Sequence, residues 1–321
     1  MNRAVGIVFT LFAVSAALFA FSERPDPPMP PTRVEIGHLL MLDVQPAGNR
    51  LVSVGERGRI FVSDDAGASW RAAASPTEAT LTALAFIDAR HGVAVGHDAV
   101  IVRTDDGGEH WQLVEAAPED EEPLLAVWFD GDGHGFAVGA YGRFAESRDG
   151  GRSWVQREID DQELHFNAIT RVGEALLIAG EAGTMLRSDD DGATWRRLDA
   201  PYAGSYFGLL ATGDGGVLAF GMRGHVFRSA SAGERWQEIE SGTQASVFAG
   251  HVVGDDALVL AGQNGLVLAS RDGGRSFAAV DAAASHSFAA VVAPRAGGEL
   301  LLAGDEGVTR IALAVPPAGK P

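Results

Sequence analysis

The feature that most restricts this chain is a glycine turn that returns seven times. GERG (55–58), GHDA (96–99), GAYG (139–142), GEAG (180–183), GMRG (221–224), GQNG (262–265) and GDEG (304–307) begin 41, 43, 41, 41, 41 and 42 residues apart. After six of the turns comes an acidic box closed by an aromatic. These boxes are VSDDAGASW at Trp70, VRTDDGGEHW at Trp111, ESRDGGRSW at Trp154, RSDDDGATW at Trp195, RSASAGERW at Trp236 and ASRDGGRSF at Phe277. A repeat of about 40–50 residues belongs to propeller blades or to a solenoid.

The content of one unit separates these. The second holds LTALAFID (81–88), GVAVGH (92–97), VIVRT (100–104) and HWQLVEA (110–116). Four short runs rich in Val, Ile and Phe, parted by Gly and Asp, have the chemistry of strands and hairpins. No segment beyond the N-terminus carries a helical period. The prediction is an all-β fold over residues 32–315: a seven-bladed β-propeller with four-stranded antiparallel blades. Its strands are named a to d from the central channel outward.

The ends predict how the ring closes. The seventh unit supplies SFAAVVA (287–293), ELLLAG (299–304) and VTRIALA (308–314), and a tail follows at 316–321. Its fourth strand is missing, while TRVEI (32–36) stands as a surplus strand before the first unit. That segment is predicted to become strand d of the seventh blade, which fastens the ring and removes an exposed sheet edge.

The boxes pose a question of chemistry, because acidic glycine-rich loops can hold metals. Their third position is Asp65, Asp106, Asp149, Asp190 and Asp272, with Ser231 in the fifth copy. A carboxylate there can accept N–H bonds across its own turn, and the glycine two residues on permits a positive φ. Trp70, Trp111, Trp154, Trp195 and Trp236 take five of the six tryptophans. Copies set once per blade are spread around a ring and do not converge, whereas catalysis needs unlike groups within bonding reach. The boxes read as scaffold, with calcium or sugar binding as the competing reading.

Residues 1–22 are a leader of another kind. Asn2 and Arg3 precede an uncharged apolar run from Ala4 to Phe21, the layout of a secretory signal. The run also has about the length of a membrane anchor, so cleavage and retention both stand. The Pro-rich segment 23–31 is an extended linker. Both alternatives predict an exported protein, periplasmic, free or tethered to the inner membrane through residues 4–21. A net charge of −18 argues against nucleic acid, which is bound by clustered Lys and Arg. Zero cysteines exclude disulfides and thiolate chemistry.

The box pattern S/T-x-D-x-G-x-x-W/F resembles the Asp box, or bacterial neuraminidase repeat, of sialidases. The fuller unit, G-x-x-G-x-[IV]-x-x-[ST]-x-D-G-G-x-x-W, is similar to the photosystem II assembly and stability factor family of seven-bladed propellers, over about residues 32–315. That resemblance implies a non-enzymatic protein that binds a membrane-protein subunit during assembly. Proteobacterial members are similar to proteins linked with export systems of the resistance-nodulation-division class.

The sialidase resemblance implies an arginine trio, a Tyr nucleophile with a Glu base, and an Asp acid. Only Tyr141, Tyr202 and Tyr206 are present, the Arg-Ile-Pro signature is missing, and many arginines flank the boxes. Paired carboxylates for glycoside hydrolysis are too numerous in an acidic chain to be judged by sequence. The histidines show no metal-ligand spacing, and FDGDGHG (129–135) is too short for an EF-hand loop. No cofactor and no metal are predicted.

Binding is expected on the loops opposite the boxes, which differ from blade to blade on a rigid ring. The b–c turns offer Arg57, His97, Tyr141, Arg223 and Asn264, besides Glu56, Glu181, Gln263 and Asp305. The d–a loops offer Glu121 and Asp161 within an acidic rim, with Tyr202 and Tyr206 as apolar anchors. The photosynthetic relatives carry a basic patch, and this acidic edge departs from it. The sequence therefore predicts a protein-binding accessory or assembly factor whose partner is a membrane protein or its extracytoplasmic segment. The alternative is a glycan-binding or glycoside-hydrolysing protein of the sialidase kind.

Overall fold

The computed structural model describes residues 2–20, 35–115, 122–282, 284–294 and 298–313. It divides into two units, an N-terminal one and the strand-bearing one from Glu35 onward. The first contains the helix Asn2–Ala20. Val5, Val8, Phe9 and Phe12 on it are all exposed. Among the described residues no helix is long and apolar enough to cross a membrane.

The second unit is a seven-bladed β-propeller. Six sheets have four strands in sequence order, each hairpin antiparallel, and the seventh has three among the described residues. The inner a strands are Met41–Ala47, Leu81–Phe86, Leu124–Phe129, Phe166–Val172, Tyr206–Ala211, Val247–Val252 and Phe288–Val292. Each touches the next, and the first touches the last, which closes the ring. Strands b are buried along their length, as in Gly92–Gly96 and Val217–Gly221, apart from the first residues Arg50 and Glu299 in the first and last blades. Both faces of each b strand pack against neighbouring blades, so the sequence there is a continuous apolar run rather than an alternation.

One turn geometry repeats between strands b and c. Glu56, His97, Ala140, Glu181, Met222, Gln263 and Asp305 each donate their backbone N–H to the residue just before strand a, at 2.9–3.3 Å. The leading glycine of each turn permits this approach. A Cβ on Gly180 would lie 1.9 Å from the His165 carbonyl, and one on Gly304 would lie 1.9 Å from that of Ser287.

The closing strand predicted over 32–36 is only partly open to inspection. Residues 32–34 lie outside the described residues, and Ile36–His38 forms a single 3-10 turn rather than strand. Ile36 nevertheless occupies a recurring place. A Cβ on Gly307 would meet its carbonyl at 2.1 Å, as Gly58 would meet Thr77, Gly224 would meet Thr243 and Gly265 would meet Ala284. In those three pairs the carbonyl belongs to the loop that leaves strand d.

A candidate docking face and the boxes opposite it

The boxes lie at the end of each blade away from the b–c turns, and their carboxylates point into their own loops. Asp65 accepts the Ser63 hydroxyl at 2.8 Å, the Ser69 N–H at 2.8 Å and the Ser69 hydroxyl at 2.6 Å. Asp149, Asp190 and Asp272 accept the corresponding groups of Ser153, Thr194 and Ser276. Asp106 takes the His110 N–H and ring instead. The Ser69 hydroxyl and N–H hold Asp65 down to about 2, and Thr194 does the same for Asp190. Both stay ionised at any physiological pH. Trp111, Trp154 and Trp195 donate their indole N–H to the box glycine three residues back at 3.0–3.3 Å. That of Trp236 is buried without a partner, and Trp70 is half-buried.

Arginines tie each box to the blade before it. Arg50 donates to the Gly107 carbonyl at 3.2 Å, Arg103 to Gly150 at 2.7 Å and Arg157 to Gly192 at 3.0 Å. Arg187 reaches Ala232 at 2.6 Å, Arg228 reaches Gly273 at 2.8 Å, and Arg310 in the last blade reaches Ala66 in the first at 2.7 Å. The sequence shows arginines flanking boxes without saying which blade they serve. Most also pair with a carboxylate, as Arg103 with Asp105 and Arg228 with Asp214. Around blade 3, Glu146 is buried among Arg148, Arg157 and His134, which also faces Asp191. Among the described residues no His, Asp and Glu group forms a metal site. The 129–135 loop is a turn in which Asp130 accepts the N–H groups of Asp132 and His134, both at 2.9 Å.

On the other face, the third turn position adopts a left-handed conformation without glycine. Arg57, Asp98, Tyr141, Ala182, Arg223 and Asn264 have φ between 51° and 56°. Such backbone is uncommon for side-chain-bearing residues, and here it is imposed six times by the same frame. All but the half-buried Asp98 are exposed, so unlike side chains stand at one height on successive blades. His97, one position earlier in the second turn, is also exposed, and Ala99 takes the positive φ that a glycine holds at the fourth position of the other turns. Tyr141 is 56% exposed and meets His165 edge-on at 4.8 Å. Sequence reasoning passed over that histidine.

Several predicted site residues lie elsewhere. Tyr206 is not a surface anchor: it is 1% exposed, and its hydroxyl donates to the Tyr202 carbonyl at 3.2 Å. It opens an inner strand in the slot filled by Met41, Leu81, Leu124, Phe166, Val247 and Phe288 in the other blades, all buried. Burial pushes its hydroxyl far up the scale. Tyr202 is half-buried, 4.2 Å from the His225 ring. Glu121 lies outside the described residues. Asp161 is exposed, but the acidic rim is partly neutralised, since Asp160 pairs with Arg197 and Glu122 with Arg143. Glu56, Glu181, Gln263 and Asp305 serve the turns. Their side chains accept the N–H of Leu40, His165, Ser246 and Ser287.

Known proteins resemble this chain in both sequence and fold. A solved structure described as YCF48 bound to D1 peptide has a TM-score of 0.70 with 16% identity, covering 90% of this chain and 98% of that one. YCF48 from Cyanidioschyzon merolae gives 0.67 at 14% identity, covering 86% and 96%. A GH74 xyloglucanase from Xanthomonas campestris gives 0.68 at 16% identity, covering 88% of this chain and 53% of that one. At these identities the likeness is one of fold. The photosystem II assembly lipoprotein Ycf48 of Trichormus variabilis is 40% identical over 53 residues, which is 16% of each chain. The match thus spans about a sixth of that relative's length. The profile of the photosynthesis system II assembly factor YCF48 family matches residues 62–124 and 114–254. With more than half its length matched, the chain belongs to the photosynthesis system II assembly factor YCF48 family.

Proposed function

We propose that this protein is an exported, non-catalytic accessory or assembly factor that docks a segment of a membrane protein on the face of the b–c turns and d–a loops. An export-system subunit is the partner class that the sequence resemblance favours. The observation that carries the reading is the repeated turn, a fixed frame that presents Arg57, His97, Tyr141, Arg223 and Asn264 outward as unlike groups. Rigid rings with variable loops are built for recognition. The family is named for an assembly factor, and one relative of the same fold was solved with a peptide bound, which selects a peptide segment as the ligand class.

The charge of −18 and the exposed Asp161 and Glu163 favour a basic or neutral segment, steered by electrostatics. The apolar helix Asn2–Ala20 would act as export signal or as tether and keep the ring at the periplasmic membrane surface. The test is affinity capture from the native envelope with the wild type and with a triple variant, Arg57→Ala, Tyr141→Ala and Arg223→Ala. Capture should fall at least tenfold while the melting temperature holds. Unchanged capture removes the turn face from consideration.

A further inference from the structure

The inner strands can be aligned through their pairing with strands b. At the third position of the first strand stands Asp43, opposite Val54. The matching residues of the other six blades are Ala83, Ala126, Ala168, Gly208, Ala249 and Ala290. One blade therefore carries a carboxylate where its siblings carry a methyl group or nothing. All seven positions line the central channel, a cavity of about 240 Å³. Asp43 lies two residues in from Met41, which pairs with the turn glycine Gly55, so it sits near the proposed docking face.

The carboxylate is held rigidly. Its Oδ1 accepts the Val44 N–H at 2.7 Å and the Gln45 amide at 3.0 Å, and its Oδ2 accepts the Leu84 N–H of the next blade at 2.8 Å. No arginine, lysine or histidine pairs with it among the described residues. Burial pushes it up to about 6 against those hydrogen bonds, so it is still ionised at pH 7.5. Asp43 is half-buried in the channel wall, where a charge is normally compensated, and the place of a cation beside it is open. The other polar groups of the wall are turned inward: Thr82 donates to the Leu124 carbonyl at 2.6 Å and Asn167 to that of Tyr206 at 2.8 Å.

We propose that the channel receives the ammonium of a lysine side chain, carried by the docked peptide segment, with Asp43 as its counter-ion. The acceptor count selects lysine over arginine. Two donors already fill Oδ1, and one lone-pair site remains on Oδ2. That suits a compact ammonium, whereas a guanidinium fork seeks both oxygens of a carboxylate. The alanine ring suits the apolar four-carbon stem. The inference rests on the docking reading for the source of its lysine.

The experiment is methyl NMR of Ala83, Ala126 and Ala168 at pH 7.5. The probes are n-butylammonium, n-butanol, the peptide Ac-Ala-Leu-Lys-Leu-Ala-NH2 and its norleucine counterpart. The expected result is saturable binding of the lysine peptide, at least tenfold tighter than the norleucine peptide and than n-butylammonium. Asp43→Ala, which copies the other blades, should fold and abolish the preference for lysine over norleucine. Equal binding of the two peptides to the wild type overturns the proposal, and that comparison needs no variant. Binding of n-butylammonium as tight as the lysine peptide makes the site one for small amines and overturns its assignment to a peptide. A lost lysine preference with partner capture still sensitive to the turn face sinks this inference alone. A lysine preference with capture indifferent to that face sinks the docking reading alone.

Discussion

The guanidinium of Arg310 donates to the carbonyl of Ala66 at 2.7 Å, joining residues 244 positions apart. It repeats between the last and first blades the bond that Arg228 makes to Gly273 between neighbours. Ring closure among the described residues therefore rests on an arginine clamp as well as on the contact between inner strands. Arg310→Ala should lower stability by about 1.5–3 kcal/mol, the usual worth of a hydrogen bond from a charged donor. Arg235→Ala, whose side chain has no such role, should change it by under about 0.5 kcal/mol. Urea unfolding of the two variants checks this.

The turn glycines make a steric prediction. In Gly180→Ala the new Cβ meets the His165 carbonyl at 1.9 Å, so strands a and b of the fourth blade must part at that end. In Gly131→Ala nothing lies within 4 Å and φ is not positive. Thermal unfolding should show a loss of at least about 2–3 kcal/mol for the first, in the range of overpacking, and almost none for the second.

The tryptophans are not equivalent despite their common motif. Trp111 is buried and its indole N–H is satisfied by Gly108, while that of Trp236 is buried and unpaired. Replacement by Phe removes a bond in one case and an orphan donor in the other. Trp111→Phe should therefore cost about 1 kcal/mol more than Trp236→Phe, as read from chemical denaturation of the two variants.

The box carboxylates predict the acid limit of the fold. Asp65 and Asp190 are held down to about 2 by the Ser and Thr of their loops, against 3.8 when free. A depressed carboxylate contributes stability that is full above its unfolded value and lost as pH falls through the folded one. Their share should vanish between about pH 4 and pH 2. Asp43 acts in the opposite sense. It is raised to about 6 by burial, so its share is full below 3.8 and lost as pH rises through about 6. Wild type should thus gain stability relative to Asp43→Ala on going from pH 7.5 to pH 4. Denaturant midpoints of both proteins across that range test the sign.

Much of this was legible in the sequence, because a period of 41–43 residues with four apolar runs per unit leaves few architectures. The runs of the second unit fall within two residues of the observed strands Leu81–Phe86, Gly92–Gly96, Ile101–Thr104 and Gln112–Glu115. Partners between blades were not legible. Periodicity fixes a residue's place within its unit and not which neighbour it reaches, and the clamps come from different strands, as Arg50 and Arg103 do. Tyr206 misled because it follows a polar loop, although its slot is apolar in every other unit. Asp43 had a visible signal, a lone carboxylate in a column of Ala and Gly, which appears only once the inner strands are brought into register.

The central claim is that one face binds and the other only builds. Hydrogen–deuterium exchange of the protein with and without its captured partner tests it most directly. Protection should appear in the turns at 55–58, 96–99, 139–142, 180–183, 221–224 and 262–265. The boxes at 63–70, 104–111, 147–154 and 188–195 should exchange as before. Protection of the boxes with the turns unchanged would contradict the account.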